Sequence, residues 1–199
     1  VLSGTVLIMA MLAGCTTTQQ GTATVGPSVG PTTTYQVPTG GASDIALPPR
    51  PTDIPLTGVD PCSLLTAAQR RSLGVLTGQR GLPAQLADNS PTCNFRFADG
   101  TRGAEYNVAV DTVEGIQLYL NSSLAANVTQ VSVGDFPALD ITLKAPDLLQ
   151  GCTTAVSVAN SQMFMVDLGQ PAKGTTTAQS CAMTEKVAAA VLTTARTLK

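Results

Sequence analysis

Apolar residues fall on every second position in successive stretches of the chain. Cys93, Phe95 and Phe97 alternate with Asn94 and Arg96; after an Asp99-Gly100 turn, Ala104, Tyr106, Val108 and Val110 alternate again. Successive strand side chains point to opposite faces, so this spacing predicts an antiparallel pair with one face on a core. A second block follows. Val128 to Val133 and Ala138 to Leu143 flank Gly134-Asp135-Phe136-Pro137, and Cys152 to Ala159 turns through Asn160-Ser161 into Gln162 to Leu168. Val156 and Val158 then oppose Phe164, Val166 and Leu168 in a hairpin. Tyr106, in phase with Ala104 and Val108, is expected in the core. Met163 and Met165 fall on the opposite strand face from Phe164 and Val166. They are candidates for an apolar groove or partner surface, unless the terminal helices cover them.

A longer period marks the helices. Asp60-Pro61 reads as a cap followed by proline at the first helical position, and Thr66-Ala67-Ala68-Gln69 has the form of a capping box. Leu64, Leu65, Ala68 and Leu73 are expected on one side, and Gly74 closes the helix. Asp111 with Glu114, or Thr112 alone, predicts the start of another helix, with Val113, Ile116, Leu120 and Leu124 on one stripe. Gly115 weakens that helix. The terminal helix is expected from about Cys181 to Leu198, with Met183, Val187, Val191 and Leu198 on its apolar stripe. Residues 75–92 and 169–180 read as irregular. Helices at both ends of an antiparallel sheet make the expected fold α+β.

The start of the chain is different. Residues 6–15 form an apolar run ending in Leu12-Ala13-Gly14-Cys15. The run is shorter than the roughly 20 residues that span a bilayer, and suits the core of a secretory signal. Its end resembles the lipobox of bacterial lipoproteins, in which the cysteine is lipidated and the peptide is cut before it. Cys15 is therefore the expected site of lipidation, with fatty acyl chains such as palmitate, and residues 1–14 the expected signal peptide. No Lys or Arg precedes the run, and the start at Val1 suggests a trimmed N-terminus or a start codon written as Val. Residues 15–58 carry Thr, Gly, Pro, Ser and Gln, which bury too little apolar surface to offset ordering entropy. They are expected to be a disordered tether. Residues 59–199 form the expected globular domain.

Composition narrows the function. The chain has 199 residues, a net charge of −2, 12% charged residues and no His or Trp. Without a basic cluster it is a poor fit to nucleic acid, so membrane attachment is expected through the lipid. Beyond Cys15 the cysteines are Cys62, Cys93, Cys152 and Cys181. Export places them where disulfides persist. A zinc site would use close-spaced pairs, which the sequence lacks. The expected pairing is Cys62–Cys93 with Cys152–Cys181, each joining a helix start to a strand start. Cys62–Cys181 with Cys93–Cys152, and Cys62–Cys152 with Cys93–Cys181, compete with it.

Asp60-Pro61-Cys62-Ser63-Leu64-Leu65-Thr66 with Leu73-Gly74, Cys93-Asn94-Phe95, Gly151-Cys152 and Cys181 together resemble the DUF3558 family of actinobacterial lipoproteins of unknown function. The resemblance covers about residues 59–198. It implies an exported, membrane-anchored, disulfide-bonded domain and supplies no catalytic residues. Phe95 stands where the family often has another aromatic, Trp.

Catalytic chemistry finds little support. The absence of His removes the commonest general base and the Ser-His-Asp arrangement, and no Walker A or GxGxxG sequence occurs. Asp111, Glu114, Asp135 and Asp140 are expected as caps and solvated turns. No cofactor or metal is expected. The expected function is non-enzymatic: an envelope lipoprotein on the extracytoplasmic face of the cell membrane, binding an envelope protein, glycan, lipid or small ligand. The alternatives are an accessory subunit of an envelope complex and a carboxylate- or metal-dependent enzyme. An apolar cavity favours ligand binding; a flat apolar patch favours the accessory role.

Overall fold

A computed structural model describes residues 45–84, 89–100, 104–121, 126–144 and 151–198. Within them a 3-10 turn (Pro61–Ser63) leads to α1 (Ala67–Leu73), β1 (Gln79–Arg80), β2 (Thr92–Arg96), β3 (Glu105–Asp111) and α2 (Gln117–Asn121). There follow β4 (Ala126–Val133), β5 (Phe136–Leu143), β6 (Thr153–Ala159), β7 (Gln162–Gly169) and α3 (Thr177–Ala195). The strands form one sheet in the order β1-β2-β3-β7-β6-β5-β4, with neighbours antiparallel throughout. The fold is α+β, as the alternating pattern predicts.

The first turns follow their caps closely. The Asp60 carboxylate accepts from the Cys62 amide at 3.0 Å. In α1 the Thr66 hydroxyl accepts from the Gln69 amide and the Gln69 side chain accepts from the Thr66 amide. Gly74 ends the helix in the left-handed region at φ 68°, where a side chain would be strained. Leu64 and Leu65 are buried, but they lie between the two elements, and Ala68 is exposed. The apolar side expected of the helix is thus supplied mainly by the segment that leads into it.

Two clusters cover the two faces of the sheet. On one, Phe95, Tyr106, Val108, Phe164 and Val166 pack with Val187, Val191 and Leu192 of α3. Full burial of each such aliphatic side chain contributes about 1.5–3 kcal/mol. On the other face lie Ala109, Leu139, Met163 and Met165, under Ile116, Tyr119 and Leu120.

Four expectations need correction. First, the folded body begins before Val59. Leu56 is fully buried and Ile54 nearly so. The Ile54 amide donates to the Val158 carbonyl at 2.7 Å, and the Leu56 amide donates to the Gln162 side chain at 2.6 Å. Proline-rich composition hid two apolar anchors. Second, the helix expected after Asp111 is reduced to Gln117–Asn121, with Val113 exposed. Asp111 does cap, its Oδ1 accepting from the Val113 and Glu114 amides at 2.7 and 3.2 Å. Third, α3 starts at Thr177 because Thr176 and Gln179 form another capping box. Cys181 consequently sits inside the helix. Fourth, part of the segment expected to be irregular pairs as β1 with Asn94 and Cys93. Cys15, the signal run, most of the expected tether and Leu124 lie outside the described residues.

The cysteines pair as Cys62–Cys93 and Cys152–Cys181, with Cα atoms 5.1 and 5.0 Å apart. Each bond ties a segment flanking the sheet to a strand or its approach.

Candidate ligand-binding cavity

The sheet face away from α3 carries a cavity of about 700 Å³. Its floor follows from strand register. Asn94 pairs with Asn107, Asn107 with Asp167, Asp167 with Thr153, Thr153 with Ile141, and Ile141 with Val128. Alternation puts all six on one face, so one line across the sheet changes from amides and a carboxylate to aliphatic residues. Met165 and Ala109 occupy the next line. Tyr119, Leu82, Ala126 and Leu143 add largely apolar walls. Leu82 is 90% exposed and Leu143 54%, which leaves an apolar rim open to solvent.

The polar end is tied together. Asn107 Nδ2 donates to Asp167 Oδ2 at 3.2 Å, and Thr153 Oγ1 donates to Asp167 Oδ1 at 3.0 Å. Asn94 Nδ2 donates to Glu105 Oε1 at 3.1 Å, and Arg96 Nε stands 3.7 Å from Glu105 Oε2. Burial raises the Asp167 carboxyl above its ordinary range, and the hydrogen bonds from Asn107 and Thr153 partly offset this. The Tyr119 hydroxyl donates to Met165 Sδ at 2.8 Å. Burial, reinforced by the negative charges of Asp167 and Asp111, pushes that hydroxyl well above the usual phenol range. It therefore serves as a neutral donor.

The carboxylates named from the sequence do not converge on this cavity. Asp111 caps a turn, Glu114 is exposed, and Asp135 pairs with Arg196 at the β4–β5 turn. Asp140 departs from its expected place in a solvated turn. It lies in β5 beneath α3, 7% exposed, accepting from Thr154 Oγ1 at 2.7 Å. Thr154 Oγ1 is also 2.8 Å from Thr184 Oγ1. Asp140 is close to Cys152 and Cys181, but those sulfurs are bonded to each other and offer no thiolate to a metal. Nearby Glu185 has a raised pKa, through burial first and then its hydrogen bond to Asp140.

Met163 and Met165 are on the face predicted for them, opposite Phe164 and Val166. The terminal helix does not cover them. Met163 is buried with Ile116, Tyr119 and Leu120, and Met165 lines the cavity. Tyr106 is in the core on the α3 face. The sequence pattern alone does not mark Asn94, Glu105, Asn107, Thr153 and Asp167 as site residues. A signal is present in the sequence: Asp167 continues the period of Met163 and Met165 with a charge, and Asn107 puts a neutral amide two positions before Ala109, in the same phase.

Among the described residues, no helix is long and apolar enough to cross a membrane. A family model described as "Protein of unknown function (DUF3558)" matches residues 10–194. No curated protein and no solved structure matches the chain.

Proposed function

The chain belongs to the DUF3558 family of proteins of unknown function, and from that membership we propose a non-enzymatic, lipid-anchored envelope lipoprotein whose domain takes up a small, largely apolar ligand. The cavity on the sheet carries this reading. Its volume, about 700 Å³, falls within the roughly 300–1,000 Å³ of small-molecule sites. An apolar lining with a few convergent polar groups is the usual make-up of such sites. Cys15 at the end of an apolar run supports the anchor, and a sequence without His supports the non-enzymatic assignment. The partner is then the membrane through the lipid at Cys15, with the domain on the extracytoplasmic face.

Purification of the lipidated protein under native conditions, followed by mass spectrometry, tests the reading. It predicts a small molecule that leaves when the domain unfolds, and acyl chains on Cys15. Replacement Cys15→Ser should release the protein from the membrane fraction. An unmodified Cys15 in membrane-associated protein would contradict the anchor. The exposed Leu82 and Leu143 at the rim favour a second reading, an accessory subunit whose partner covers the mouth. Co-purification of a stoichiometric protein with an empty cavity would favour that reading instead.

A further inference from the structure

Resting on the cavity-binding reading, we propose that the ligand is an amphiphile with a cationic amine head, held at Asp167, and an apolar chain lying over β5 and β4. The charge pattern carries this choice. Among the described residues, the charged side chains lining the cavity are Glu105 and Asp167, both acidic, with no Lys or Arg. The two acids are not equivalent. Glu105 already faces Arg96. Among the described residues, Asp167 accepts side-chain hydrogen bonds from the neutral groups Asn107 and Thr153. Among the described residues it has no ion-pair partner.

A carboxylate has about four lone-pair sites, and the two observed hydrogen bonds leave room for a further donor. An ammonium group there supplies both a charge-assisted hydrogen bond and the missing counter-charge. A fatty carboxylate or a phosphate head would bring a like charge against a carboxylate in a poorly solvated site. An alcohol would supply one neutral hydrogen bond. The direction of the chain follows from the floor. Beyond Thr153 the line continues into Ile141, with Leu143 and Ala126 beside it on β5 and β4. Polar head and apolar tail are thus separated along a single axis across the sheet.

Isothermal titration with dodecylamine, dodecanol and laurate, each below its aggregation threshold, separates the ligand class from the cavity itself. The wild type should bind dodecylamine about tenfold more tightly than dodecanol, with laurate weakest, as expected of a charge-assisted pair. Asp167→Asn should lose the preference for the amine and keep its affinity for dodecanol. Glu114→Gln removes the same charge at an exposed position outside the cavity and should behave as wild type. Equal binding of amine and laurate by the wild type, or an amine preference that survives Asp167→Asn, would overturn the proposal and leave the cavity reading standing. No binding of any of the three compounds by the wild type would overturn both.

Discussion

Gly115 stands directly against the backbone of Ser161. A Cβ at residue 115 would lie 2.7 Å from the Ser161 carbonyl carbon and 2.8 Å from the Gln162 amide nitrogen, at a φ of +62°. The turn after β3 is therefore clamped onto the β6–β7 hairpin, and this clamp sets Ile116 and Tyr119 over Met163 and Met165. Gly115→Ala should cost about 2–4 kcal/mol, combining left-handed strain with backbone displacement. Gly74→Ala, with the same backbone sign but open space, should cost about 1–2 kcal/mol. Urea unfolding of the two variants measures the difference. Equal costs would show that the close approach has no energetic weight.

Leu56 tests where the folded body begins. It is fully buried and precedes the boundary expected from composition. Leu56→Ala should destabilise the domain by about 2–5 kcal/mol. A protein beginning at Ile45 should be more stable than one beginning at Val59, as read by thermal unfolding. Equal midpoints would place residues 45–58 outside the cooperative unit.

The disulfides close loops of sequence separation 31 and 29. In the chain-entropy model, each constrains the unfolded state by about 3–4 kcal/mol. Reduction should lower the unfolding midpoint strongly. Non-reducing peptide mapping should recover the Cys62–Cys93 and Cys152–Cys181 peptides. A Cys62–Cys181 peptide would contradict this connectivity.

Asp167 predicts a pH dependence with a definite sign. Its folded pKa lies above the ordinary aspartate value, chiefly through burial, so folding favours the protonated form. Its contribution to stability is fully present below the unfolded pKa and is lost as pH rises through the folded pKa. The stability of wild type minus that of Asp167→Asn should therefore fall over that window. Urea titrations from about pH 3 to 8 measure this difference. A difference that rises with pH would reverse the assigned cause.

The strands were legible because alternation, turn residues and cysteine spacing agreed. Phe164 and Val166 against Met163 and Met165 give both faces of β7 directly. Thr66 and Gln69 mark the start of α1 directly, while the same pattern at Thr176 and Gln179 lies in a Gly- and Thr-rich stretch that reads as loop, so the sequence places the start of α3 at Cys181 rather than Thr177. Gly115 looks in the sequence like a weak helix residue, because its contact with Ser161 is made across 46 positions of the chain. Ile54 and Leu56 were masked by neighbouring prolines. The cavity was the least legible feature. Its polar line joins residues from β2, β3, β7 and β6, and only the strand order places Asn107 and Thr153 on either side of Asp167.

Titration with a neutral apolar dye, N-phenyl-1-naphthylamine, against the wild type and Ala126→Trp measures cavity occupancy most directly. The indole at residue 126 should enter the apolar end of the cavity, and circular dichroism with the unfolding midpoint verifies that the variant folds. The wild type should bind the dye saturably at one site, and Ala126→Trp should bind about tenfold more weakly, because the volume a ligand must fill is taken. Non-saturable binding, or equal affinity in the folded variant, would contradict a ligand site on this face of the sheet.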